Sequence, residues 1–118
     1  MSHFRSLFRF SHKEVGQLLA KARPLASRLG LKIISTTAQP GIDHGKLLII
    51  IPRRVGPAHV RNLIKRRVHS VFYEEKLYLN VRESALLVYP EARKFSFDDT
   101  KAFLIKAFGK RQTQEITQ

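Results

Sequence analysis

The chain of 118 residues contains no cysteine. Disulfide frameworks, zinc sites built from thiolates and a cysteine nucleophile are therefore excluded. No apolar run is long enough to cross a membrane, because the longest, Leu47–Ile51, has only the length of a β-strand. Residues 1–10 alternate Phe and Arg and lack the apolar segment of a secretory signal. We therefore expect a cytoplasmic protein with no membrane partner.

Acidic residues are scarce. Nine Asp and Glu stand against 22 Lys and Arg, which gives a formal net charge of +13. Such an excess makes the folded chain repel itself, and it indicates a polyanionic partner, with nucleic acid as the leading candidate. An anionic membrane surface is the competing candidate, but the sequence has no basic helix with a wide apolar face to bind one.

Capping signals and apolar periodicity predict three helices. Ser11 and Glu14 have the spacing of a capping box at the start of the first helix, which ends before Pro24. The second helix is predicted from Gly56-Pro57 to about Tyr78. The third is predicted from the capping-box residue Ser96 to a C-cap at Gly109.

Three short apolar runs predict strands, at residues 31–35, 47–51 and 85–88. Residues 39–45 have the composition of a loop. The order of helix, two strands, helix, strand and helix predicts an α/β (α+β) sandwich. Its length fits one domain, residues 1–118, with a frayed polar tail at 110–118.

The second helix has two different faces. Its apolar residues fall within an arc of roughly 80° at 100° per residue: Val60, Ile64, Val68 and Val71. The adjacent arc carries polar and basic residues: Arg61, Asn62, Lys65, Arg66 and His69. No acid occurs from residue 56 to residue 72. A basic face used only for solubility usually has Glu interleaved with Lys, so this pattern favours binding to phosphates.

Residues 55–66 resemble the signature of the bacterial ribonuclease P protein component. That signature is a basic pair after a strand, a short stretch of small residues, and then Arg-Asn-Arg-x-Lys-Arg. Four residues match it position by position: Arg61, Asn62, Lys65 and Arg66. Arg53 and Arg54 match the preceding basic pair, at a predicted strand end.

The resemblance implies a mixed sheet of about four strands with three helices and a left-handed β-α-β crossover. It also implies a division of labour, in which a catalytic RNA, with magnesium, hydrolyses precursor tRNA to remove the 5′ leader. The protein then binds the catalytic RNA and the leader. We expect no self-contained active site in this chain and infer no obligate protein partner. The RNA-binding residues so predicted are Arg61, Asn62, Lys65, Arg66, Arg67, Arg53, Arg54 and His69.

The chain departs from the family pattern in two places, the basic motif and the first helix, and the first departure is in the motif. The third motif residue is Leu63 instead of Arg, and Arg67 stands where the family usually has an apolar residue. Because helical side chains lean toward the N-terminus, we hypothesise a swap, in which Leu63 packs and Arg67 contacts phosphate. A snorkelling Arg67 at the edge of the core is the alternative.

The second departure concerns the leader site. The family tends to place two aromatics on its first helix, but this chain has Val15 and Leu19 there, with aromatics only upstream. The candidate leader-binding residues are Phe8, Arg9, Phe10, Val15, Leu19 and Lys32. Phe10 is also explained as a hydrophobic staple with Val15.

Other functions remain open from the residues alone. A ribosomal-type RNA-binding protein shares the charge and the basic helix but not the matched motif. A helix-turn-helix DNA binder needs two helices joined by a short turn, whereas strands flank this helix. Asp98 and Asp99 suit a helix N-terminus better than a metal-dependent nuclease site. His59 and His69 are predicted to add positive charge below neutral pH.

Overall fold

A computed structural model of the chain describes the backbone of residues 2–37, 41 and 43–117 and the side chains of residues 4–37, 41 and 43–109. The predicted loop at 39–45 lies partly outside these residues. The helices are α1 Ser2–Ser6, α2 His12–Lys21, α3 Ala58–Glu74 and α4 Phe97–Thr117. The strands are β1 Arg23–Arg28, β2 Leu31–Ser35, β3 Lys46–Ile50 and β4 Glu83–Val88. Three 3-10 turns are Arg53–Val55, Leu77–Leu79 and Pro90–Lys94.

The four strands form one mixed sheet in the order β1-β2-β4-β3. β1 and β4 each pair with β2 in antiparallel fashion, whereas β3 and β4 are parallel. A parallel pair needs a crossover, and α3 provides it. The predicted mixed sheet of four strands is therefore confirmed. The left-handedness of the β-α-β crossover stays a prediction.

Helices lie on both faces of the sheet. α3 and α4 pack together and cover one face, where the main hydrophobic core lies. Leu18 of α2 and Ala85 of β4 are buried outside that core, and α2 contacts β4, so α2 covers part of the opposite face. The predicted α/β sandwich is confirmed. None of the described helices is both long and apolar enough to span a membrane.

Both predicted capping boxes form. The Ser11 hydroxyl accepts from the Glu14 backbone N–H at 3.1 Å, while the Glu14 carboxylate accepts from the Ser11 N–H at 2.8 Å. Ser96 and Asp99 make the same two bonds at the start of α4, at 3.1 Å and 3.0 Å. These bonds satisfy backbone donors that a helix start leaves free, so the sequence located both starts correctly.

The two later helices do not end where the sequence predicts. α3 stops at Glu74, before the predicted Tyr78, and Lys76 then takes a left-handed φ of 55° that leads into a 3-10 turn. α4 continues through Gly109 to Thr117. Gly109 does not adopt the positive φ of a C-cap glycine, and glycine within a helix costs only about 1 kcal/mol. The predicted C-cap is therefore wrong.

The sequence also missed β1, because Pro24 reads as the end of a helix. β1 is an edge strand, where proline is tolerated, and its register shifts between Pro24 and Ala26. Gly30, with φ 100°, closes the hairpin to β2. A Cβ on Gly30 would lie 2.8 Å from the backbone N of Ala92, so only glycine lets the 3-10 turn Pro90–Lys94 approach this closely.

Candidate RNA-binding surface

The basic helix α3 is fixed to the core by its apolar side. Ile64, Val68, Val71 and Phe72 are all buried, as the helical wheel predicts for three of them. Val60 is half-buried and packs against the same core. α3 thus presents its other side from a rigid position, and binding need not order the helix first.

The N-terminal half of α3 presents its polar side to solvent. Asn62, Lys65 and Arg66 are exposed, and Arg61 is half-buried with its Nε donating to the Gly56 carbonyl oxygen at 3.0 Å. Among the residues that the structure describes, no carboxylate forms an ion pair with any of these cations. This side of α3 is therefore an uncompensated positive surface, which suits phosphate groups.

Arg53 and Arg54 extend this surface in front of α3. They lie in a 3-10 turn after β3, not at the strand end where the sequence placed them. Both side chains are exposed, while Val55 beside them is completely buried and holds the turn on the core. The turn Pro90–Lys94 packs against this one and brings Arg93 to Gly56. Sequence reasoning missed Arg93, because nothing in its local pattern indicates this contact.

The proposed swap between Leu63 and Arg67 does not match the structure. Leu63 is 39% exposed, so it does not take a packing role. The Arg67 side chain is half-buried, and its Nη1 donates to the Phe95 carbonyl oxygen at 3.3 Å. Arg67 thus ties α3 to the segment before α4, which is closer to the alternative of an arginine at the core edge.

His69 does not belong to the exposed basic surface. Its ring stacks on Phe8 at a centroid distance of 3.9 Å, with the edge of Phe4 at 6.0 Å. Burial, with a smaller contribution from the Lys65 ammonium, lowers the pKa of His69 to about 4. The prediction that His69 adds charge just below neutral pH is therefore wrong, since the folded protein keeps this ring neutral.

We expect His69 to make the protein less stable in mild acid. An unfolded His69 takes up a proton near pH 6.5, whereas the folded one resists until about pH 4. The free energy of unfolding should therefore fall between these pH values, by on the order of 1 kcal/mol once partial exposure is allowed for. Urea unfolding measured from pH 7 to pH 4 should show a smaller decline in the free energy of unfolding for His69→Phe than for the wild type. If this free energy declines equally with pH in both proteins, the expectation is refuted.

The candidate leader-binding residues lie in different surroundings. Phe8 packs in an aromatic cluster, because its ring stacks on His69 and also meets Phe4 and Phe72 edge-on. A role in stacking on leader bases is therefore not supported for Phe8. Arg9 and Phe10 line a cavity of about 470 Å³ beside the start of α2. There the Lys46 ammonium lies 4.3 Å from the centre of the Phe10 ring.

The remaining leader candidates are on α2 and on the sheet face that α2 partly covers. Leu19 is 46% exposed and Val15 is half-buried, whereas Leu18 between them is buried. Lys32 alternates along β2 with the core residues Leu31 and Ile33, and its side chain therefore leaves the sheet on the opposite face. The predicted leader site stays a prediction at these three positions.

Several acids have structural roles. Hydrogen bonds from Ser11 and from the Lys46 ammonium, at 3.1 Å, hold the pKa of Glu14 below its usual value. The backbone N–H of Ser96 does the same for the pKa of Asp99, as expected for a carboxylate at a helix start. Glu75 pairs with Lys101 at 3.4 Å. Within the described residues, no three His, Cys, Asp or Glu side chains are grouped to hold a metal ion.

Known proteins resemble this chain in sequence and in fold. The family model described as Ribonuclease P matches residues 3–112. A ribonuclease P protein component from Bacillus pumilus is 28% identical over 100 residues, which cover 84% of this chain and 82% of that protein.

Solved structures agree in fold. The RNase P protein of Staphylococcus aureus superposes with a TM-score of 0.76 at 18% identity, covering 90% of this chain and 95% of that one. The RNase P protein of Thermotoga maritima gives a TM-score of 0.73 at 15% identity, covering 87% and 96%. At this identity the structures show the shared fold, and the family model carries the assignment: the chain belongs to the ribonuclease P protein family.

Proposed function

We propose that this chain is the protein subunit of a ribonuclease P whose RNA carries the catalytic centre and removes the 5′ leader from precursor tRNA. The observation that carries the proposal is the uncompensated basic side of α3. Arg61, Lys65 and Arg66 stand there at the family's motif positions, on a helix anchored to the core. The protein then acts by position and charge rather than by supplying reacting groups.

The basic surface promotes assembly through electrostatics. Each lysine or arginine that contacts an RNA phosphate releases condensed counterions, which favours binding and makes it depend on salt. Several phosphates of a folded RNA lie close together and repel one another. Fixed cations on α3 lower that repulsion, so the folded RNA needs less magnesium to hold its active form.

Magnesium is assigned to the RNA in this proposal. RNA phosphates are hard oxygen ligands of the kind that Mg²⁺ prefers, and Mg²⁺ usually keeps several of its waters when bound. When bound, the metal supplies charge stabilisation at the scissile phosphate. The side chains of this chain only bind and orient the RNA.

We place the leader on the sheet face beside α2. Leu19 offers exposed apolar surface there, and Lys32 offers a cation on the same face of the sheet. Stacking of a base on an aromatic ring contributes about 1–3 kcal/mol, and α2 carries no Phe, Tyr or Trp. We therefore expect the leader to contribute less to affinity than the RNA contacts of α3.

Reconstitution tests the proposed function. The purified chain is added to a bacterial ribonuclease P RNA at low magnesium, and 5′ cleavage of a precursor tRNA is measured against the RNA alone. Cleavage that the chain restores supports the proposal, and a variant with Arg61, Lys65 and Arg66 replaced by Gln should restore much less. Tight binding to ribosomal RNA with no effect on cleavage would favour the ribosomal-type alternative instead.

A further inference from the structure

Two arginines from distant parts of the chain meet at Gly56. Arg61 on α3 donates from Nε to the Gly56 carbonyl oxygen at 3.0 Å. Arg93 also lies beside this residue, with its Nε 3.4 Å from the position that a Cβ on Gly56 would take. Both guanidinium groups therefore lie next to a single residue in front of α3.

The fold holds both arginines in this arrangement. Arg93 belongs to the 3-10 turn Pro90–Lys94, in which Ala92 is only 4% exposed and packs in the core. The backbone N–H of Tyr89 donates to the Gly30 carbonyl oxygen at 2.9 Å and fixes the start of that turn. Arg61 is held by α3. Both arginines belong to elements that pack on the core, so their proximity is built into the packing of these two elements.

No acidic partner explains this proximity. Two like charges near one residue repel each other, and a protein normally offsets such a pair with a carboxylate. In the described part of the chain neither arginine forms an ion pair, although Glu91 lies on the same turn as Arg93. Within the described residues no carboxylate is paired with either arginine, so an external anion can take that place.

We propose that Arg61 and Arg93 form a two-arginine phosphate site over Gly56, which binds a phosphodiester of the RNA. Guanidinium groups are planar, keep their charge at every accessible pH and bind phosphate oxygens in pairs, so two of them suit one phosphate group well. Arg93 is exposed, and the neighbouring Arg53 and Arg54 are exposed as well, which leaves the site open to a polymer. The choice of RNA over a free phosphate rests on the proposed function.

The first test needs no RNA. Inorganic phosphate is titrated against the full chain at constant ionic strength, with chloride as the balancing salt, and the unfolding temperature is recorded. Phosphate should raise it in the wild type, because a ligand of the folded state stabilises that state. The rise should be clearly smaller in Arg93→Gln and unchanged in Arg23→Gln, which removes the same charge at the start of β1. Equal rises in all three proteins would overturn the site.

Gly56→Ala provides an independent variant that keeps both arginines. The new Cβ would lie 3.3 Å from Cγ1 of Val60 and 3.4 Å from Nε of Arg93, so it occupies the space beside the Arg93 guanidinium that a phosphate over Gly56 would take. The phosphate response should therefore fall as it does in Arg93→Gln. Urea unfolding checks that Gly56→Ala is folded, and a folded variant with the full wild-type phosphate response contradicts the proposal.

The second test uses a ribonuclease P RNA and distinguishes a polymer from a free phosphate. Arg93→Gln should weaken RNA binding about 5- to 10-fold at moderate salt, since it removes one charged hydrogen-bonding group. Because both arginines hold the same phosphate, Arg61→Gln combined with Arg93→Gln should weaken binding less than the product of the two single losses.

The outcomes separate the site from the proposed function. A double loss equal to that product means that the arginines act independently and refutes the shared site. A phosphate response with no effect of Arg93→Gln on RNA binding means that the site takes a free phosphate instead, which also refutes the proposal. If the phosphate and RNA results hold but the chain fails to restore precursor cleavage, only the proposed function is wrong.

Discussion

Replacing Arg61, Lys65 and Arg66 together by Gln should weaken binding to ribonuclease P RNA by about 100- to 1000-fold at moderate salt. A charged hydrogen bond contributes about 1.5–3 kcal/mol, and screening by solvent and salt lowers the contribution of each of these exposed contacts. All three side chains lie on α3 with no carboxylate partner in the described residues. Apart from the hydrogen bond from Arg61 to Gly56, the loss should therefore be one of RNA contacts.

Salt dependence gives this prediction a second readout. With roughly six phosphate contacts and a coefficient of about 0.7 for each, the logarithm of the wild-type binding constant should fall with the logarithm of salt at a slope of about −4. Loss of three contacts should bring the slope to about −2. Filter binding or fluorescence anisotropy at several salt concentrations measures both quantities.

A charge-matched variant controls for the net charge of the protein. Arg23, Lys76 and Lys106 are exposed cations outside the basic side of α3, and their replacement by Gln removes the same total charge. This control should keep a slope near that of the wild type and lose far less affinity. Equal losses in the two triple variants would mean that only the overall charge matters and that α3 is not the RNA-binding surface.

The folded state should survive the α3 substitutions. Gln has a helix propensity close to that of Lys and Arg, and exposed substitutions usually change stability by no more than about 0.5 kcal/mol. The substitution also removes the hydrogen bond from Arg61 to Gly56, which contributes about 1 kcal/mol. Urea unfolding should thus separate the binding defect from any folding defect.

Phe72→Ala should lower the free energy of unfolding by about 3–5 kcal/mol. This is a large part of the total for a typical domain, whose free energy of unfolding is about 5–15 kcal/mol. The Phe72 side chain is only 1% exposed. Its ring meets the edges of Phe8 and Phe108, each at a centroid distance of 5.6 Å. Truncation therefore opens a cavity where α3 and α4 meet the N-terminal segment that contains Phe8.

Phe97→Ala is the matched control for this prediction. It makes the same chemical change at the first residue of α4, where the side chain is 37% exposed, and it should cost far less than Phe72→Ala. Urea unfolding followed by circular dichroism measures both. If the two variants lose similar stability, or if Phe72→Ala loses less than about 1 kcal/mol, Phe72 is not central to the core.

Local signals predicted the starts of helices better than their ends. The capping boxes at Ser11 and Ser96 involve residues three apart, so the sequence contains everything needed to form them. The end of α3 depends on Lys76, which adopts a left-handed conformation that a lysine does not signal. The strand β1 depends on its position at the sheet edge, which only the assembled sheet defines.

The basic surface was largely predictable because helix periodicity is a local property. Buried Ile64, Val68 and Val71 and exposed Lys65 and Arg66 lie where a period of 3.6 residues puts them. The resemblance to the ribonuclease P protein component rests on the same residues, and the family match confirms it.

The sequence by itself therefore determined which helix carries the positive charge and how its two sides are divided, because both follow from residues within a few turns of one another. Only the tertiary structure decided which polar and basic side chains of that helix stay exposed and which other cations lie near them. The N-terminal segment covers His69, the Phe95 carbonyl engages Arg67, and a turn about thirty residues away adds Arg93. Each of these outcomes depends on packing between segments far apart in the chain, and no local pattern records such contacts.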